Sequence, residues 1–124
     1  MSPANSKALL LLKSFTTLKA NWDSYGAEVP SDKAIQKAST FILRLSNTGI
    51  DVYFVAPSPN GDILIEIKQG SSSLEFEFTS DESDSVVASQ FKRVITEAEL
   101  NETTLIAYLK WLICPYGNCP PDLR

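Results

Sequence analysis

The side chains best placed for chemistry are carboxylates. Ile63, Ile65 and Ile67 alternate with Leu64, Glu66 and Lys68, and Leu74, Phe76 and Phe78 alternate with Glu75, Glu77 and Thr79. A period of two puts one set on each face of a strand. Closing the two runs as a hairpin over Gly70-Ser71 sets Ile67 against Leu74, Ile65 against Phe76 and Ile63 against Phe78, so the apolar set meets on one face. The same register sets Glu66 directly opposite Glu75, with Glu77 diagonal to Glu66. Like charges facing each other across a strand pair cost ~0.2–1 kcal/mol. Three readings compete for that arrangement: a solvated face screened by water and Lys68, an acid/base dyad, or a surface shaped for a basic partner. A dyad wants a pocket that excludes water, and the face of a small sheet is a poor place for one. The polar stretch Ser80-Asp81-Glu82-Ser83-Asp84 follows at once and adds Asp81, Glu82 and Asp84 to the acidic set.

Other chemistries are excluded more firmly. The chain has 124 residues, a formal charge of -4 and no histidine. Without imidazole there is no Ser-His-Asp or Cys-His nucleophile pair and no proton shuttle near neutral pH. A zinc site wants four ligands, and Cys114 with Cys119 supplies half of one. Two free thiols are the default in a reducing cytosol, and a local disulfide over Gly117-Asn118 is the alternative. There is no glycine-rich phosphate motif, so no metal and no cofactor is expected. Basic residues are scattered, with Lys92-Arg93 the only adjacent pair, which speaks against nucleic acid. No stretch reaches the roughly 18–20 apolar residues that span a bilayer, and Ala8 to Leu12 is too short for a signal core. A cytoplasmic protein with no membrane contact is the expectation.

A second candidate is the loop carrying Trp22, Asp23, Tyr25 and Gly26. Aromatics beside a carboxylate can stack on a small ligand while the acid accepts hydrogen bonds. The same residues can instead clamp the loop, with Trp22 extending an apolar stripe and Asp23 bonding backbone amides toward Gly26.

These candidates must be positioned by a single domain spanning residues 1–124, with the ends 1–5 and 115–124 irregular. Ala8, Leu11, Leu12, Phe15, Leu18 and Trp22 fall at helical spacing, which predicts an amphipathic helix over about Ser6 to Ala20. Ser31 caps a second helix with Ala34, Ile35, Ala38, Phe41, Ile42 and Leu45 facing inward. Asp51 to Pro57 suits a strand, and Ser58-Pro59-Asn60-Gly61 suits a type I turn. With the hairpin this makes a three-stranded antiparallel meander. Val86-Val87 and Phe91 to Ile95 supply a fourth strand or two short ones, with no clear break between Ser85 and Glu99. Asn101 caps a last helix from Glu102 to Ile113, with Leu105, Ile106, Leu109 and Leu112 inward. The fold class is α+β, with helices packed on one face of an antiparallel sheet.

Asn21-Trp22-Asp23-Ser24-Tyr25-Gly26-Ala27-Glu28-Val29-Pro30-Ser31 and Ala56-Pro57-Ser58-Pro59-Asn60-Gly61-Asp62-Ile63-Leu64-Ile65-Glu66-Ile67 together resemble a group of small uncharacterised bacterial proteins. Those carry an N-W-D-x-x-G-A-x-x-P-S segment, then a P-x-x-x-G-x-x-x-x-E-W strand and an alternating acidic strand. The resemblance runs from about Leu9 to Phe78 and departs at Ile67, where the group has tryptophan. It implies a shared fold and a bacterial or phage setting, and it brings no activity with it.

The expected function is a non-enzymatic interaction module, such as an antitoxin-like, immunity or inhibitor subunit. It would bind a protein with a basic surface through Glu66, Glu75, Glu77, Asp81, Glu82 and Asp84. The first alternative is a ligand binder or carboxylate enzyme at Trp22, Asp23 and Tyr25. The second is a homodimer joined through an open strand edge or the last helix.

Overall fold

Ser2 begins the first helix. Its hydroxyl accepts the Asn5 amide at 3.2 Å, and Pro3 occupies the first helical position, so α1 runs Pro3–Ser14. This corrects the expected start at Ser6 and the expected irregular N-terminus. The end also comes early. The hydroxyls of Ser14, Thr16 and Thr17 donate to the carbonyls of Leu11, Lys13 and Ser14. The chain tightens there into a 3-10 turn at Phe15–Thr17 and turns extended at Leu18. Ala8, Leu12 and Phe15 are buried, whereas Leu11, expected on the same stripe, is 41% exposed. The computed structural model describes residues 1–113, so Cys114, Cys119 and their redox state lie outside the described residues.

The second helix, α2, spans Asp32–Asn47 under a Ser31 cap, with the Ser31 hydroxyl accepting the Ala34 amide. Its buried residues are the six that periodicity assigns inward. Five strands follow: β1 Phe54–Pro57, β2 Ile63–Gln69, β3 Ser72–Phe78, β4 Ser85–Gln90 and β5 Arg93–Glu99. They form one antiparallel meander in sequence order. The Ser58–Gly61 turn closes through a Gly61 N–H to Ser58 C=O bond of 3.0 Å.

The strand count corrects the expected three or four. The break that sequence leaves unplaced falls at Phe91-Lys92, and both residues are left-handed, with φ of 52° and 66°. Such a hairpin turn ordinarily announces itself as Asn-Gly or Asp-Gly. Here two L side chains occupy it, each at roughly 1–2 kcal/mol of backbone strain. The pairing also shifts between Ala88↔Thr96 and Ser89↔Val94, leaving Ile95 as a bulge. That bulge, together with Arg93, Glu97 and Glu99, discourages a further strand from adding to the exposed β5 edge.

The last helix, α3, spans Glu102–Ile113. Asn101 and Thr104 cap it reciprocally: Asn101 Oδ1 accepts the Thr104 amide at 3.0 Å, and Thr104 Oγ1 accepts the Asn101 amide at 2.9 Å. Leu105, Leu109 and Leu112 are buried and Ile106 is half-buried.

All three helices bury their apolar stripes with Val55, Ile63, Ile65, Ile67, Leu74, Phe76, Phe78, Val86 and Ala88 in one core. The Phe41 ring stands 4.5 Å from Phe76 and 5.3 Å from Phe78, centroid to centroid, and this pins α2 to β3. The helices therefore cover one face of the sheet, and among the described residues the other face is left open. No helix among the described residues is long and apolar enough to cross a membrane.

Candidate functional site

Register decides which side chains share the open face. Ile63 pairs with Phe78, Ile65 with Phe76 and Ile67 with Leu74, so Glu66 sits directly opposite Glu75. This is the pairing that the two alternating runs predict. The next strands extend it: Glu75 neighbours Val87, which neighbours Glu97, and Glu77 neighbours Ser85, which neighbours Glu99. Five glutamates thus share one face, and Glu97 with Glu99 were not among the residues singled out from sequence. Their signal was present as Thr96-Glu97-Ala98-Glu99, an alternating run, but without the Phe91-Lys92 turn there was no register to assign them to a face.

The electrostatics on this face are one-sided. Lys68 shares it, yet its ammonium lies over the Tyr53 ring, 4.5 Å from the centroid. The ion pairs Lys37–Asp84 and Arg44–Glu102 tie α2 to the loop after β3 and to the start of α3. Glu77 registers the crowding. Its carboxyl is pushed above the ordinary value, first by partial burial, then by a hydrogen bond with Asp62 and by the charges of Asp62, Glu75 and Asp84. A raised carboxyl favours the fold while protonated, and that contribution is lost as pH rises through the raised folded value. Glu77→Gln should therefore raise the melting temperature at pH 7. The gain should vanish below pH 4.5, the ordinary glutamate value, where the wild-type carboxyl is also neutral. Thermal melts by circular dichroism across that range check the sign. An equal gain at all pH values would mean that charge is not the cause.

The acidic loop is wired differently from the sheet. Asp84 accepts the Lys37 ammonium at 2.8 Å and the Thr79 amide at 2.8 Å. Asp81 accepts from the Ser83 hydroxyl and amide and from the Thr79 hydroxyl, and its carboxyl is lowered to about 2 by those bonds. Lys37 also donates to the Asp81 carbonyl at 2.7 Å. Asp81 and Asp84 thus hold the loop to α2, while Glu82 is exposed.

The Trp22 loop is likewise bound up in itself. Asp23 Oδ1 accepts the amides of Tyr25 at 2.8 Å and Ala27 at 3.1 Å, and Asn21 Oδ1 accepts the amide of Gly26. Trp22 Nε1 donates to the Glu28 carbonyl at 2.8 Å. Trp22 and Asp23 are half-buried and Tyr25 is 92% exposed. The loop docks on the turn before β2 through Glu28 N–H to Pro59 C=O and Ser31 N–H to Gly61 C=O bonds. Gly61 is required there: its φ is +87°, and a Cβ would meet the Val29 carbonyl oxygen at 3.1 Å. The segments Asn21 to Ser31 and Ala56 to Ile67 are therefore hydrogen-bonded neighbours.

A scan against protein-family models, a search of curated proteins and a search of solved structures each found no match to this chain.

Proposed function

We propose that the protein is a non-enzymatic interaction module, of the antitoxin-like, immunity or inhibitor kind, whose open sheet face binds a basic surface on another protein. One observation carries the reading: Glu66, Glu75, Glu77, Glu97 and Glu99 share a single face that no helix among the described residues covers. Holding like charges side by side works against folding, so a face that accumulates them is better suited to meeting positive charge than to stability alone. Opposite potentials would speed encounter and fix orientation.

Charge reversal tests it. In pull-downs from native lysate, Glu66→Lys with Glu75→Lys should lose a protein that the wild type retains, while far-ultraviolet circular dichroism stays unchanged. The retained protein should present a basic surface and elute at lower salt than bulk contaminants resist. Equal recovery by a folded double variant would sink the acidic-face reading.

A further inference from the structure

The open face has relief as well as charge. The outward residues of β4 are Ser85, Val87 and Ser89, all small. Ser85 and Val87 adjoin Glu77 and Glu75 of β3 on one side and Glu99 and Glu97 of β5 on the other, while Ser89 lies between Ser73 and Val94. Small side chains between two rows of longer ones make a furrow along β4. Its walls stand two strand spacings apart, roughly 10 Å, and along each wall the carboxylates repeat every second residue, roughly 6.6–6.8 Å. The face hollows at both ends of this column. One hollow is bounded by Glu82, Ser85, Glu97 and Glu99, and the other spreads from the end of β4 across β3 to β2, bounded by Glu66, Lys68, Glu75, Ser89, Phe91 and Lys92. Phe91 is 73% exposed and Val94 is 64% exposed, so apolar surface lies at the second end beside Lys68 and Lys92.

We propose that this furrow seats an extended basic segment of the partner, lying along β4 with its Lys or Arg side chains directed alternately to the two glutamate walls. The inference rests on the acidic-face reading and specifies its partner. An extended chain repeats same-side side chains every two residues at the spacing of the walls. A helix presents same-face side chains three and four residues apart, ≈ 5–6 Å between Cβ atoms, and addresses one row rather than two. The aliphatic stems of the basic residues rest on Val87. The basic run ends before Lys92, and an apolar residue follows it against Phe91.

The test separates shape from charge. A fluorescein-labelled hexa-arginine peptide is titrated by anisotropy at low salt, with a hexaglutamate peptide as control. Val87→Trp fills the furrow and changes no charge, while Leu64→Trp places the same bulk on the same face but on β2, outside the furrow. Hexa-arginine should bind the wild type, with affinity weakened about tenfold or more by Val87→Trp and by Glu97→Lys with Glu99→Lys, and less than about twofold by Leu64→Trp. Circular dichroism confirms that each variant is folded. Absence of hexa-arginine binding, or equal affinity of the wild type and Val87→Trp, would overturn the furrow. In the latter case, loss of binding in Glu66→Lys with Glu75→Lys leaves the acidic face standing, and its retention there removes both readings.

Discussion

Asn5→Ala is expected to destabilise the fold by about 2–4 kcal/mol, a large effect for a polar residue near the N-terminus. Asn5 is 1% exposed. Its amide nitrogen donates to Ser46 Oγ at 3.0 Å and to the Ile50 carbonyl at 2.9 Å, and its oxygen accepts the Val52 amide at 2.7 Å. One side chain thus ties α1 to the last turn of α2 and to the chain entering β1. Alanine removes all three bonds and leaves the Val52 amide buried without its acceptor, which is the expensive case for a hydrogen bond. For a domain of this size the melting temperature should fall by roughly 10 °C. Asn5→Asp keeps the acceptor for Val52 but has no donor for Ile50 or Ser46 when ionised, so it should be at least as damaging at neutral pH. Urea unfolding of both variants measures the loss. A change under about 1 kcal/mol for alanine would mean that solvent replaces these bonds easily.

Asn5 also marks where reading the sequence stops working. Apolar periodicity located α2 and its six buried residues, and two alternating runs fixed the Glu66–Glu75 register, because each signal is local and repeats several times. Asn5 could not be found that way. Its partners Ser46, Ile50 and Val52 are more than forty residues distant, and a lone asparagine before a leucine-rich run reads as surface. The Phe91-Lys92 turn failed for the opposite reason: its signal is local but has the wrong residue types for a left-handed turn. With the break between the two short strands unplaced, β5 has no register in the sequence, and the second row of glutamates has no face. Asp81 and Asp84 were legible as acidic, but the bonds to Lys37 that draw them toward α2 depend on how helix and sheet pack.

The division of labour across the sheet follows from the pleat. Each residue of β3 belongs to one face or the other, so the strand can hold the core with one set of side chains and display charge with the next. Glu75 and Glu77 project from the open face on either side of Phe76, which points into the core. Substitutions at the glutamates should consequently change binding far more than stability. Those at the phenylalanines should do the reverse, since any loss of binding would follow only from loss of the folded strand.

Phe76→Ala tests that separation at its strongest point. Phe76 is completely buried, touches Phe41 at 4.5 Å between ring centroids, and lies opposite Ile65 on one side and Val86 on the other. Truncation removes most of a ring from a close-packed site and leaves a cavity lined by β-branched residues that are poorly able to collapse into it. The expected loss is about 3–5 kcal/mol. That is a large share of the roughly 5–15 kcal/mol that stabilises a typical domain. Phe76→Leu, which keeps the site apolar and most of its volume filled, should lose markedly less. Glu75→Gln, one residue away on the other face, should be neutral or slightly stabilising because it relieves the like-charge pair with Glu66. Equilibrium urea titrations of the three variants give the order directly. If Glu75→Gln proved as damaging as Phe76→Leu, the glutamate would be a structural member of the sheet rather than a side chain held out for a partner.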